Sequence, residues 1–182
     1  DKLYVGTNEG LYEVDTAPNT WTFRLILSMV SSKDNCRRMT VHSDGALWFA
    51  QGVEDDTPPI VYRMFVSNGQ REIERVPNDF SLGDGLVTNA TGRVGWMTSA
   101  EGFMFIASGG AGGSQKAHIW CHNGEGWHVM RVNGTADQAI TWMASASEDD
   151  DTPRLHYAVQ TGASVRNAKF LAQPFANPAS GV

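Results

Sequence analysis

The chain has 182 residues, of which 41% are hydrophobic, so it can bury one sizeable core. Its formal net charge is −6 and its largest basic cluster is the pair Arg37-Arg38, which argues against a nucleic-acid-binding or anionic-membrane surface. No apolar run reaches the ~18–20 residues of a transmembrane helix, and no signal peptide is expected.

The chain opens with three predicted strands, over Lys2–Gly6, Leu11–Asp15 and Trp21–Leu27. The turns between them contain Gly and Asn, which supply the positive φ that tight hairpin turns need. Short strands joined by such turns predict an antiparallel sheet with neighbouring strands in chain order.

Three further units of the same kind follow along the chain. The second unit has predicted strands at Arg37–His42, Ala46–Gln51, Ile60–Val66 and Arg71–Val76. The third has predicted strands at Arg93–Ser99, Phe103–Ser108, Ala117–His122 and Gly126–Val132. The last has two at Ala139–Ser145 and Arg154–Gln160, with one more in the tail at Ala168–Leu171.

The strand Phe103–Ser108 is apolar on both faces, whereas a strand with one wet face should alternate. A sheet buried on both faces needs neighbours on both sides, which is the condition inside a β-propeller. Trp48, Phe105 and Trp142 are therefore predicted to lie buried between sheets. Cys36 and Cys121 are predicted to fill the interior as small unbonded hydrophobes.

The units repeat along the chain. Met39, Met97 and Met143 align at one inner-strand position and lie 58 and 46 residues apart, and the Phe80–Thr91 insertion accounts for the longer spacing. A period of about 40–50 residues with four strands per unit is typical of propellers. The sequence thus predicts an all-β fold, a β-propeller of four-stranded antiparallel blades, with an irregular sandwich as the alternative.

The predicted blades cover 1–30, 36–77, 92–133 and 137–172, and 173–182 form a tail or linker. The first blade lacks an inner strand, and the tail does not visibly complete it. We therefore expect an incomplete set of about four blades. Further blades of a longer chain, a second copy or a protein partner should cover the apolar faces at its ends. Those faces are predicted at Leu3/Val5 and at Leu155/Tyr157/Val159.

Two stretches resemble known propellers. The residues Leu3-Tyr4-Val5-Gly6-Thr7, Gly10-Leu11 and Asp15 resemble the repeat of regulator-type β-propellers, which implies the fold. The residues Gly92-Arg93-Val94, Phe103–Ala107 and Gly124–Met130 look like blades of uncharacterised structural proteins of tailed bacteriophages. That resemblance implies a virion or tail component.

No stretch of the sequence carries a motif for catalysis, a metal or a cofactor. His118 and His122 lie ~13 Å apart along one strand, too far for one metal ion. The acidic runs at 54–56 and 148–151 lack the alternate spacing of a calcium loop. The segment Ser43–Trp48 resembles the Asp-box of sialidases but has the wrong spacing. A sialidase-type site also needs an arginine cluster together with a Tyr/Glu pair, and no such set is found, so we expect a hairpin turn followed by a buried Trp.

The predicted function is a non-enzymatic interaction or structural module that binds a protein partner through loops on one rim. The polar loop residues chosen as binding candidates are Asp55, Asp56, Lys116 and Asp137. A carbohydrate-active propeller, either a lectin or a glycoside hydrolase, is the alternative, because the chain is rich in Trp and acidic residues. Glycan-array binding or turnover of chromogenic glycosides would separate the two.

Overall fold

The fold consists of antiparallel β-sheets. The computed structural model describes residues 2–17, 20–53, 57–77, 93–109, 116–132, 138–147, 153–161 and 165–171. The described residues form fourteen strands and no helix, so none of their segments could cross a membrane as a helix. The prediction of an all-β chain is confirmed.

The fourteen strands form four sheets, numbered here along the chain. The first sheet contains β1 (Leu3–Thr7), β2 (Gly10–Ala17) and β3 (Thr20–Ser28). The second contains β4 (Met39–Val41), β5 (Leu47–Gln51), β6 (Ile60–Ser67) and β7 (Gln70–Arg75). The third contains β8 (Val94–Ala100), β9 (Phe103–Ser108), β10 (His118–His122) and β11 (Trp127–Val132). The fourth contains β12 (Gln138–Ser147), β13 (Pro153–Thr161) and β14 (Val165–Leu171).

Within each sheet, every strand pairs with its neighbour in the chain. Asn68 and Glu101 adopt positive φ values of 51° and 50°, each followed by a Gly that also has positive φ. Two successive residues of positive φ form the turn that matches the twist of paired strands. These local turns explain why each predicted strand is observed within a few residues of its predicted limits.

Three buried clusters hold the sheets face to face. The first and second sheets share a cluster that includes Leu11, Cys36 and Phe49. The second and third share a cluster around Trp48 and Trp120. The third and fourth sheets share a cluster whose largest members are Phe105, Met143, Leu155 and Tyr157. The sheets are therefore stacked in chain order, and among the described residues no cluster joins the first sheet to the fourth.

The first strands of the second, third and fourth sheets lie next to one another, since β8 contacts both β4 and β12. Gly95 allows β8 and β12 to lie close together, because a Cβ at that position would lie 2.9 Å from the carbonyl oxygen of Ile140. A methyl group there would force the two strands apart. The inner edges of three sheets thus meet along one line.

Several burial predictions are confirmed. Trp48 and Phe105 are 2% and 0% exposed, and each lies in a cluster between two sheets. Cys36 and Cys121 are free and buried in different clusters. Trp48 also follows a hairpin turn, in which the Asp44 carboxylate accepts a hydrogen bond from the Ala46 N–H at 2.8 Å.

The prediction that Trp142 is buried is wrong, because its side chain is 43% exposed. A β-bulge at Thr141 shifts the register of β12, so Ile140 and Met143 face the third sheet. Trp142 consequently lies on the opposite face of the fourth sheet. A bulge inserts one residue and reverses the alternation of side chains beyond it.

The exposed face assigned to Leu155, Tyr157 and Val159 is also wrong. These residues are 0%, 2% and 1% exposed and pack against the third sheet. The other face of β13 is the one turned away from the third sheet. At the other end of the stack, Leu3 is 46% exposed, in agreement with its prediction, whereas Val5 is only partly exposed.

Candidate functional site

The four binding residues predicted from the sequence are only partly placed. Asp55, Asp56 and Asp137 lie outside the described residues. Lys116 is exposed, two residues before the start of β10. Lys116 therefore lies at the surface, outside the strands.

A different group of residues comes together where the inner strands of three sheets begin. Arg37 and Arg38 precede β4, and Arg93 precedes β8. Together with residues of β8 and β12 they line a cavity of about 90 Å³. We call this space the arginine cavity. Its other lining residues are Val94, Gly95, Gly109, Ala139, Ile140 and Thr141.

Asp34 holds two of the three arginines in place. Its Oδ1 accepts a hydrogen bond from Arg37 Nη1 at 2.8 Å, and its Oδ2 accepts one from Arg93 Nη1 at 2.9 Å. Burial acts to raise the pKa of the Asp34 carboxyl, but the two arginines outweigh it and keep that pKa below its usual value. Asp34 is therefore an ionised carboxylate that joins the second sheet to the third.

Arg38 is held by different contacts. Its Nε donates to the carbonyl oxygen of Gly95 at 2.7 Å, and its guanidinium lies 4.6 Å from the centre of the Trp96 ring. Burial, followed by the nearby charges of Arg37 and Arg93, lowers the pKa of Arg38. Within the described part of the chain, Arg38 forms no ion pair with a carboxylate.

Two β-bulges shape the cavity wall. Gly95 and Thr141 are each the extra residue of a bulge, one in β8 and one in β12. Bulges occur often beside binding and active sites, because they release backbone groups from the ladder and redirect side chains. Here the released carbonyl of Gly95 is the group that orients Arg38.

The sequence contained only a partial signal for this site. The pair Arg37-Arg38 was recognised as the largest basic cluster, but Arg93 lies 55 residues beyond Arg38. Stacking of the second and third sheets brings Arg93 beside this pair and creates an arginine cluster that is not visible along the sequence. The cavity lining contains no Tyr or Glu among the described residues, so a sialidase-type set is not formed there.

A second group of polar and aromatic side chains lies between the second and third sheets. The His122 ring is 5.3 Å from Trp48 and 5.0 Å from Trp127, centre to centre. Burial, then the charges of Arg63 and nearby histidines, lower the pKa of His122 to about 4. The His122 Nδ1 accepts a hydrogen bond from the Gly124 N–H at 3.1 Å, which requires that nitrogen to be unprotonated. This neutral ring is part of the packing.

The described residues include no group of three or more His, Cys, Asp or Glu side chains placed to hold a metal ion. His118 and His122, whose separation along the strand is too large for one metal ion, are both buried on β10. His118 stacks on Trp120, with ring centres 5.7 Å apart. Both histidines therefore contribute to the interior between two sheets.

The first sheet presents an apolar outer face, on the side away from the second sheet. Alternate residues of β3 form it: Trp21, Phe23 and Leu25 are 65%, 58% and 47% exposed. Leu3 and Val14 lie in the same row as Phe23 across the three strands; Leu3 is 46% exposed and Val14 only 3%. We call this surface the outer face; it is a large apolar patch of the kind that commonly marks an interaction site.

A scan against protein-family models and a search of curated proteins both gave no match to the chain. The two candidate sites are the arginine cavity at the inner strands and the apolar outer face of the first sheet.

Proposed function

We propose that the chain is a non-enzymatic interaction or structural module that forms part of a β-propeller. The observation that carries this proposal is the stacking of four antiparallel sheets in chain order, each joined to the next through a buried cluster. In a propeller, successive sheets pack face to face around an axis that their first strands line.

The contacts of the inner strands support the same arrangement. β8 touches both β4 and β12, so the first strands of three successive sheets lie together. The Trp96 Nε1–H donates to the Met143 carbonyl oxygen at 2.7 Å, a hydrogen bond between two such strands. An irregular sandwich has two sheet layers and no reason to stack four in order.

The outer face suggests how such a module associates. Trp21 and Phe23 expose more than half of their surface, although they belong to a regular strand of a sheet whose other face is buried. In the proposed propeller a further sheet, from a longer chain or from a second copy, covers these rings. Protein partners would bind loops at one rim, with Asp55, Asp56, Lys116 and Asp137 as the contact residues.

Sedimentation of the isolated chain at micromolar concentration tests this proposal. We expect self-association of the 19.8 kDa chain, and loss of association in the double variant Trp21→Ser, Phe23→Ser. Val66→Ser is the control, since Val66 is 72% exposed on the second sheet and should leave association unchanged. A compact monomer with cooperative unfolding would contradict the incomplete ring and favour four blades closed on themselves.

The biological setting we propose is a virion or tail component of a bacteriophage, on the basis of the blade pattern described above. Mass spectrometry of purified particles of the encoding phage should then detect peptides of this chain. Their presence only in the unassembled lysate fraction would argue for a non-structural role.

The carbohydrate-active alternative can draw on only some of the tryptophans. Trp48, Trp120 and Trp127 are 2%, 2% and 6% exposed and are occupied in packing between sheets, whereas Trp21 and Trp142 are exposed, at 65% and 43%. Sugar binding by stacking requires accessible rings. We expect no turnover of a chromogenic glycoside panel and no specific signal on a glycan array; hydrolysis of any glycoside would favour the enzyme.

A further inference from the structure

The arginine cavity contains more positive charge than its surroundings neutralise. Among the described residues, three guanidinium groups and one carboxylate, that of Asp34, give a local formal charge of +2 in a chain whose net charge is −6. Both oxygens of Asp34 are already engaged by Arg37 and Arg93. Arg38 is left partly buried without a carboxylate partner among the described residues.

The orientation of Arg38 is fixed before any ligand arrives. The contact with the Gly95 carbonyl uses the Nε donor of Arg38, and the contact with the Trp96 ring uses one face of the planar guanidinium group. Nη1 also donates to the Arg37 carbonyl at 3.3 Å. A guanidinium has five N–H donors in a planar fork that matches the oxygens of a carboxylate or phosphate. Arg38 therefore keeps donors for an anion, and holding them in place lowers the entropic cost of binding.

The size of the cavity limits the ligand. A volume of about 90 Å³ is close to three times the ~30 Å³ that a water molecule occupies in the liquid. One phosphate, sulfate or carboxylate group fits such a space. The Ala139–Thr141 segment of β12 closes one side, so the anion would lie between the third and fourth sheets and Arg38.

We propose that the arginine cavity is a binding site for a small oxyanion, which Arg38 binds in its fork and Arg37 and Arg93 attract by charge. This site is separate from the outer face, so it does not depend on self-association. Its occupant would add a charged link between the inner strands of three sheets.

Thermal unfolding in the presence of simple anions tests the proposal. Phosphate, sulfate and acetate are compared with chloride at matched ionic strength, because general screening must be the same in all samples. We expect at least one oxyanion to raise the Tm by about 3 °C or more through binding to the folded state. Phosphate and sulfate acting alone would identify a tetrahedral ligand, and acetate acting as well would identify a carboxylate site.

Two variants locate the effect. Arg38→Gln removes the fork and should weaken binding of the active anion about tenfold or more, as measured by calorimetry. Ala139→Leu keeps every charge but fills the cavity, so it should abolish the stabilisation by the anion. If Arg38→Gln does not fold, Ala139→Leu provides the test of the site. Arg75→Gln, at an exposed arginine on β7, is the matched control and should bind as the unmodified chain does.

The proposal is overturned by either of two results. One is a Tm in phosphate, sulfate and acetate that equals the Tm in chloride. The other is an equal stabilisation of the unmodified chain and of the folded Arg38→Gln and Ala139→Leu variants, which would place the anion elsewhere on the surface.

Discussion

The Nε1–H of Trp96 donates a hydrogen bond of 2.7 Å to the main-chain carbonyl oxygen of Met143. Trp96 lies on the third sheet and Met143 on the fourth, so this bond connects two neighbouring inner strands. Removal of the indole N–H should cost about 0.5–1.5 kcal/mol of unfolding free energy. We expect this loss for Trp96→Phe in urea unfolding.

Trp142→Phe provides a matched control for that experiment. Trp142 occupies the corresponding position of the fourth sheet, one residue after the bulge, but its ring is 43% exposed. Its replacement should change stability by less than about 0.5 kcal/mol. Equal losses for the two variants would show that the inter-sheet hydrogen bond is not what stabilises the third and fourth sheets.

Phe105→Ala should destabilise the chain by about 3–5 kcal/mol, because the ring is 0% exposed and its removal leaves a cavity between the third and fourth sheets. Chemical denaturation measures this value. Val66→Ala, at an exposed position of the second sheet, should stay within about 0.5 kcal/mol. A loss below about 1 kcal/mol for Phe105→Ala would show that this strand is not packed between two sheets.

The Glu13 carboxylate of the first sheet forms an ion pair with an arginine of the second sheet. It is 7% exposed, forms an ion pair with Arg71 of β7, and also contacts Arg24 and Lys2. Glu13→Ala leaves Arg71 without its carboxylate in a partly buried position and should cost about 3–5 kcal/mol. Urea unfolding of this variant is compared with Glu72→Ala, whose exposed side chain should matter little. Equal costs would refute a specific role for the pair.

His122 should make stability fall in mild acid. Burial, then the charge of Arg63, lower its pKa to about 4 in the folded chain, against 6.5 for the free side chain. The unfolded chain therefore binds the proton first as the pH decreases. The stabilisation is complete above pH 6.5 and is lost as the pH falls toward 4, by on the order of 3 kcal/mol.

His122→Gln is the variant that isolates this effect. A glutamine keeps a hydrogen-bonding group but cannot titrate, so its unfolding free energy should depend less steeply on pH between 6.5 and 4. Unfolding at several pH values measures both slopes. Parallel profiles for the variant and the unmodified chain would assign the acid sensitivity to other groups.

The two cysteines should react only when the chain unfolds. Burial raises the pKa of Cys36 and of Cys121 to about 12, from an ordinary value of 9.0, so the reactive thiolate is scarce in the folded state. Both thiols should resist alkylation at neutral pH and be labelled in denaturant without reductant. The stability that they contribute is complete below pH 9 and is lost as the pH rises toward 12. A denatured chain that takes up no label would reveal a disulfide.

The sequence alone determined the strands and their order, because these depend on neighbours in the chain. Runs of apolar, β-branched and aromatic residues mark strands such as Ile60–Ser67, and Asn68-Gly69 marks the turn that follows. Short turns leave few choices for pairing, so the order of strands within a sheet follows from the chain, although the first and fourth sheets have three described strands rather than the four of a predicted blade. The burial of Trp48 and Phe105 followed from their places in strands with apolar runs.

The tertiary structure decided which face each strand presents and which distant residues meet. The bulge at Thr141 turned Trp142 away from the third sheet, and no local pattern of the sequence announces a one-residue shift of register. The arginine cavity likewise exists only because sheet stacking brings Arg38 beside Arg93, 55 residues further along the chain. Hydrophobic periodicity fixes a strand relative to its neighbours, whereas contact between sheets depends on the summed packing of whole faces, which no single segment encodes.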